Sequence, residues 1–421
     1  MMKLKKTIAM CGIVLAGNVW AQDPLPAVTP AAAGFSDQGM RRIDAFFADQ
    51  IARQRMPGAV LAIARDGKLA YYKAYGHQDQ DAKIAMPKDA IFNLASMTKV
   101  MAVVGALTFY EEGKLNLSAP LSDWYPQFST MQVGQIAADG SVTSVAATRP
   151  ITIQDLMRHT SGMTYGGRGT TALHKLYPAS SADAAIDFDG AGFINKLASL
   201  PLLYQPASVW EYGFSVDVLG LVEEKIAGKK LGDILQERVW DKVGMPDTSF
   251  AVPAEKRQRL AQALALDPIS GKAQTVRVLN APLKFDCAGS CSFATAGDYV
   301  RFGQMLLDGG VIDGQRVLSA QTVALMTSDH LGSSIVNRVS SLETGRAGYG
   351  FGLGVAVRKE KGLAASNGSV GDYTWNGANG TIFWVDPQEK LVVVMMSVAP
   401  GEIRKIHREQ MSALVYGAMT R

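Results

Sequence analysis

The sequence predicts an α+β fold, a mostly antiparallel sheet flanked by helices, with a helical lobe inserted between the two ends of the chain. Three observations carry this expectation. Segments 59–64 and 69–75 flank Arg65-Asp66-Gly67-Lys68, the Asp-Gly turn signal of a β-hairpin. Helical spacing dominates from 152 to 243. Strand signals return late, where 381–385 and 391–396 flank Asp386-Pro387 as a second hairpin. With 421 residues, 48% hydrophobic and 19% charged, the chain has room for a sizeable core and the composition of an ordinary globular protein. We expect 22–128 and 280–421 to form one α/β lobe from both chain ends, and 129–279 a mainly helical lobe.

The first 21 residues read as a secretory signal peptide. Lys3, Lys5 and Lys6 supply positive charge, 7–17 form a short apolar stretch, and Val19-Trp20-Ala21 ends in a small-x-small cleavage pattern. The stretch is too short for a membrane span. Cys11 follows Met10 inside the apolar stretch, where a lipid anchor would want a small residue, so no anchor is expected. The protein is expected to be secreted, to the periplasm. The formal net charge is +4, and three of those charges fall in the segment to be removed. No basic run or basic-aromatic stripe points to nucleic acid. The mature chain would keep Cys287 and Cys291. An oxidising compartment favours a bridge between them, but so short a loop is demanding, so two buried free thiols remain the other reading. The five histidines are scattered, with no metal-ligand spacing, so no metal or organic cofactor is expected.

Along the mature chain, 22–33 is a Pro- and Ala-rich linker, and 38–54 a helix. After the first hairpin, Val100, Val103, Val104 and Leu107 mark one helix face, with Gly113 as a C-terminal cap. Residues 125–150 are polar and small and read as an irregular excursion. Thr152 caps a short helix that runs to His159 and stops at Ser161-Gly162. Segments 216–227 and 231–243 read as helices, 350–357 as an alternating strand, and 403–419 as a closing helix. A site built from the helix after Ser96 and from later segments would lie in the cleft between the lobes.

Three elements carry candidate chemistry. In Ser96-Met97-Thr98-Lys99 a hydroxyl and an amine stand one helical turn apart, on one face. A neighbouring lysine left neutral by burial can deprotonate such a serine, and the N–H groups of the first turn are free to hold an oxyanion. Ser-x-x-Lys alone occurs by chance on many helices. Tyr212, in Trp210-Glu211-Tyr212-Gly213-Phe214-Ser215, could relay protons beside that lysine, or could simply pack in the core. Trp375-Asn376-Gly377-Ala378 precedes a strand. There a glycine lets backbone approach a ligand and the next N–H can point at a carbonyl oxygen; a β-bulge beside a buried tryptophan is the alternative.

In this order the three elements resemble those of the serine β-lactamase and penicillin-binding protein superfamily. Met56-Pro57-Gly58-Ala59-Val60, Phe92-Asn93-Leu94-Ala95, Ile151-Thr152-Ile153-Gln154-Asp155-Leu156, His159-Thr160-Ser161-Gly162, Asp217-Val218-Leu219-Gly220 and Phe383-Trp384-Val385-Asp386-Pro387 look like phrases of the same superfamily. The resemblance spans nearly all of the mature chain, and is nearest to class C β-lactamases and the family VIII carboxylesterases built on that fold. It implies Ser96 as nucleophile, Lys99 as its proton acceptor, Tyr212 as a second proton-transfer group, and the N–H groups of Ser96 and Ala378 as oxyanion hole. His159 is expected to pack or to hydrogen-bond structurally.

Two departures from the lactamase pattern bear on substrate. Phe214 stands where Tyr-x-Asn has asparagine, and Trp375-Asn376-Gly377 stands where Lys-Thr-Gly is usual. We therefore expect Phe214, Trp375, Asn376 and Gly377 to contact an apolar, uncharged acyl substrate. The function expected is hydrolysis of short- and medium-chain carboxylic esters through an acyl-enzyme, with a small-molecule ester or amide as the partner. The rivals are a β-lactamase, a D-amino-acid amidase or peptidase, a transesterase and, in another class, a catalytically silent ligand-binding protein. Cleavage after Ala21 is the first testable outcome. N-terminal sequencing of exported protein should begin at Gln22, and a start at Met1 or Cys11 would contradict the leader assignment.

Overall fold

The computed structural model describes residues 23–274, 276 and 282–420. The predicted signal peptide lies outside them. Helix α1 (Asp37–Ala52) starts at Ser36, whose hydroxyl accepts from the Gly39 N–H. Strands β1 (Gly58–Arg65) and β2 (Lys68–Asp79) form the first hairpin. Its two turn residues, Asp66 and Gly67, both have positive φ, at 51° and 73°. That backbone matches the twist of a tight hairpin and is the reason for the Asp-Gly pair.

Strand β3 (Ile84–Ala85) follows, and the chain returns to the sheet with β4 (Tyr349–Phe351), β5 (Ala356–Arg358), β6 (Tyr373–Asn376), β7 (Ile382–Asp386) and β8 (Leu391–Ser397). Among the described residues the main sheet has the order β4-β5-β6-β7-β8-β1-β2-β3, antiparallel throughout. The α+β, mostly antiparallel architecture is thus as predicted, and β1 pairs directly with β8 from the far end of the chain.

Period-two alternation divides the two faces. Ala59, Leu61 and Ile63 of β1, with Val393 and Met395 of β8, meet Ile43 and Phe47 of α1. Met411 and Val415 of the closing helix (Ile403–Ala418) complete that layer. Val60, Ala62, Val392 and Val394 face the other way, onto Phe302 and Met305 of a helix spanning Ala296–Leu307.

Helix α2 (Thr98–Glu111) runs through the middle of the molecule, and every residue from Thr98 to Phe109 is buried. It has no solvent side, so the expected single apolar face is a helix apolar nearly all round. Helix α3 (Ser215–Ala227) packs on it at Gly105, where a Cβ would come within 2.7 Å of Glu223 Oε2.

Three local expectations are corrected. The excursion at 125–150 contains a hairpin, Gln132–Ile136 paired with Val142–Ala146. Its second strand is exposed at every position, so it left no apolar period to read. The strand expected over 350–357 is two strands, β4 and β5, parted by a turn at Gly354 with φ 80°. The helix expected over 231–243 is interrupted by a wide π-helical turn at Gln236–Trp240.

Glu223 has a consequence for stability. It is fully buried, neither carboxyl oxygen has a hydrogen-bond partner among the described residues, and burial, with Glu224 adding repulsion and Arg238 only partly offsetting both, raises its pKa well above the ordinary value. The folded state therefore holds a proton that the unfolded chain releases as pH rises above 4.5, so stability is lost from there up through the folded pKa. Replacing the acid removes that loss. In urea unfolding, Glu223→Gln should gain more stability over wild type at pH 8 than at pH 5; an equal difference at both would contradict the buried protonated acid.

Candidate active site

The residue before the predicted nucleophile is held in an unusual backbone. A two-residue strand, Phe92–Asn93, pairs with Phe293–Ala294, and the chain then turns at Ala95 with φ 46°, in the left-handed region. Ala95–Met97 form one tight turn that runs into α2. This turn leaves Ser96 partly exposed while Lys99, three residues on, is 1% exposed. Ser96 opens into a cleft of about 290 Å³ whose walls include Tyr165, Arg168, Ser181, Tyr212 and Ala378.

Lys99 is tied to a polar cluster beneath the cleft floor. Its Nζ donates to the Gly289 carbonyl at 2.6 Å and to the Tyr165 hydroxyl at 3.1 Å, and lies 4.7 Å from the centre of the Tyr212 ring. Tyr165 and Ser181 both donate to Asp217 Oδ2, at 3.3 and 2.8 Å, and the Gly289 N–H donates to Asp217 Oδ1 at 2.8 Å. Burial pushes the Asp217 carboxyl up, against the downward pull of Lys99, Ser181 and Gly289. Burial, then the Asp217 charge, keeps Tyr165 a neutral phenol.

The Gly289 peptide is held by a covalent link. Cys287 and Cys291 are bridged, with Cα atoms 5.3 Å apart, so the bridge reading is the one the structure adopts. A Cβ at Gly289 would come within 2.1 Å of Ser181 Oγ, so only glycine fits there.

Tyr212 packs edge-on against Tyr165, 8% exposed, just before α3. Its hydroxyl accepts from Trp375 Nε1 at 3.3 Å. His159 packs on the Tyr212 ring at 4.7 Å, fully buried, with neither ring nitrogen hydrogen-bonded among the described residues. Burial, with Lys99 and Arg168 nearby, lowers its pKa well below the usual value, so it stays neutral.

The Ala378 loop reaches the Ser96 loop through side chains. Asn379 Nδ2 donates to Asn93 Oδ1 at 2.6 Å, and Thr381 Oγ1 to the Leu94 carbonyl at 3.0 Å. Behind it, Arg408 donates to the Gly377 carbonyl and pairs with Glu343, which also accepts from Asn376 Nδ2 at 2.9 Å. Burial pushes Glu343 up, but the Arg408 and Arg346 guanidiniums outweigh it and hold the carboxyl low. Ala378, an exposed residue, and Ser96, in the first turn before α2, both line the cleft.

Four expected contacts are revised. Phe214 is fully buried and packs edge-on against Tyr165 at 4.5 Å, away from the cleft. Trp375 is 1% exposed and stands behind Tyr212. Asn376 is turned to Glu343, and the Gly377 N–H closes the hairpin onto the Thr381 carbonyl. None of the four is among the cleft-lining residues, and Trp375 is held away in an aromatic layer shared with Phe351 and Trp210. Tyr165, Arg168, Ser181, Gly289 and Asn379 were missed. Only Asp217 had a signal, as part of a motif phrase. No group of His, Cys, Asp and Glu side chains among the described residues could hold a metal ion, and none of their helices is long and apolar enough to cross a membrane.

Known proteins share this arrangement of chain. The Beta-lactamase family profile matches residues 43–415. Protein Rv1367c of Mycobacterium tuberculosis is 33% identical over 351 residues, covering 81% of this chain and 85% of its own. Esterase EstB of Burkholderia gladioli is 30% identical over 370 residues, covering 85% and 89%. Among solved structures, EstCE1, described as a hydrolase with promiscuous acyltransferase activity, superposes with a TM-score of 0.74 at 26% identity, over 90% of this chain and 99% of its own. The chain belongs to the beta-lactamase family and is an enzyme of its serine-hydrolase class.

The bridged turn gives a direct test of the site's geometry. Because the Cys287–Cys291 link holds the carbonyl that fixes Lys99, the double variant Cys287→Ala/Cys291→Ala should lose roughly tenfold or more in kcat on an ester, with a smaller change in KM. An unchanged kcat would mean that the Asp217 bond alone holds Gly289.

Proposed function

We propose that the chain is an exported serine hydrolase that cleaves short- and medium-chain carboxylic esters through an acyl-enzyme on Ser96. The observation that carries this reading is a partly exposed Ser96 lining one cleft with Tyr212 and Ala378, while the buried Lys99 Nζ lies 4.7 Å from the centre of the Tyr212 ring. Ser96 Oγ attacks the ester carbonyl as its proton passes to Lys99. The oxyanion that forms takes hydrogen bonds from the Ser96 and Ala378 N–H groups. Tyr212 delivers a proton to the departing alkoxide, and the Ser96 ester that remains is cleaved by water with the same groups working in reverse.

Esters are favoured over β-lactams because neither Phe214 nor Trp375 offers a polar group to the cleft. A β-lactam brings an exocyclic amide on its acyl side that needs polar partners to offset its desolvation, and the aromatic carbon of Phe214 supplies none. The printed name of EstB, an esterase, supports an ester substrate, and that of EstCE1, a hydrolase with promiscuous acyltransferase activity, supports hydrolysis with acyl transfer as a second outcome. Export is supported by the charge, apolar and small-residue order of the first 21 residues and by the disulfide. Action at the periplasm rests on the same reading.

Ser96→Ala should abolish turnover, and Lys99→Ala should cost about as much, since a nucleophile and its base act as a unit. Tyr212→Phe should fall by roughly 10²–10⁴-fold if the phenol transfers a proton. On one preparation, kcat/KM for nitrophenyl butyrate should exceed that for nitrocefin; the reverse order would place the chain with the lactamases, and an active Ser96→Ala would overturn the mechanism.

A further inference from the structure

Arg168 is the charged side chain on the cleft wall; the other described lining residues are neutral. It enters from the turn Gly166–Arg168, far in sequence from each candidate element, and its side chain is 26% exposed. Its guanidinium lies 5.6 Å from the centre of the Tyr212 ring. Its ion-pair partner is only half available. Glu211 Oε1 accepts from Thr164 Oγ1 at 3.0 Å and stands 3.8 Å from Arg168 Nε, while Glu211 Oε2 stands 3.6 Å from Arg338 Nη1. Two guanidiniums share one carboxylate, and the two Nη groups of Arg168 have no hydrogen-bond acceptor among the described residues. A planar fork of donors with surplus positive charge at the rim of a cleft suits a carboxylate.

We propose that Arg168 forms a carboxylate-binding subsite on the leaving-group side, so that the preferred substrates are neutral acyl groups esterified to an alcohol that carries a carboxylate. This rests on the ester-hydrolase reading above and specifies the half of the substrate that it left open. The leaving-group side follows from Tyr212, which hands its proton to the departing oxygen and whose ring Arg168 covers. The subsite does not replace a lysine on the strand before Gly377, since Trp375 is buried there. It arises on the opposite wall, and the acyl half meets no charge.

The test compares 3-acetoxybenzoate with 3-acetoxybenzamide, which differ only in the charge on the leaving phenol. Wild-type kcat/KM should favour the carboxylate by about tenfold or more, and Arg168→Gln should lower that ratio by about 10–100-fold, mostly through KM. Arg168→Lys should restore part of it. Arg338→Gln, which leaves Glu211 wholly to Arg168, should lower the ratio in the same direction but by less than Arg168→Gln does. Nitrophenyl hemisuccinate, with its carboxylate on the acyl side, should show no Arg168 dependence. A wild-type ratio of one or less, an equal shift in Arg338→Gln, or an Arg168 effect confined to the hemisuccinate would each overturn the proposal. Binding of 3-hydroxybenzoate to Ser96→Ala, measured by calorimetry, asks the same question without turnover. Weaker binding in Ser96→Ala/Arg168→Gln supports the subsite, and equal binding overturns it. Failure of 3-acetoxybenzamide hydrolysis would count against the esterase reading alone.

Discussion

A lysine side chain that is 1% exposed needs partners for its Nζ, because an unsatisfied polar group in the interior costs more than local packing returns. Lys99 finds them in places that the chain reaches only by folding globally. The Gly289 carbonyl is 190 residues away, Tyr165 is 66 away, and both lean on Asp217 at the start of α3. Satisfying one side chain therefore fixes α2, α3, the disulfide turn and the 165 turn relative to one another. Tyr212 precedes α3 by three residues and is brought to Lys99 by the same arrangement.

The second wall is fixed differently. The Ala378 loop belongs to the hairpin of β6 and β7, and it meets the Ser96 loop through Asn379 on Asn93 and Thr381 on the Leu94 carbonyl. Arg408 and Glu343 brace it from behind. The two cleft-lining segments at Ser96 and Ala378 are thus bonded to each other, and a shift of either would cost buried polar contacts. The left-handed backbone at Ala95 is a strain that this surrounding structure over-determines.

What the sequence revealed follows from range. Asp66-Gly67 fixes a turn by local backbone preference, Thr152 caps its helix through Asp155 three residues on, and the Ser96 and Lys99 pair is set by one turn of helix. Such features are legible because each is decided within a few residues. The orientation of Phe214 and Trp375 was not legible. Their motif positions suggested contact with substrate, but the direction of a side chain before a helix or at a strand end is decided by what packs there. In this fold Tyr165, Phe351 and Trp210 do. Arg168 and Gly289 carry no local pattern at all, since a single arginine in a Gly-rich turn and a glycine between two cysteines look alike in many loops. The exposed hairpin at 132–146 was invisible for the opposite reason: it buries too little to impose a hydrophobic period.

The central claim is that Ser96 is the acylated atom in a site set by Lys99 and Tyr212. Incubating the protein with a fluorophosphonate and mapping the modified peptide by mass spectrometry tests it most directly. The account predicts one adduct, on Ser96, formed by wild type and lost in Lys99→Ala. An adduct on another serine, or an unmodified Ser96 in an enzyme that still hydrolyses esters, would contradict it.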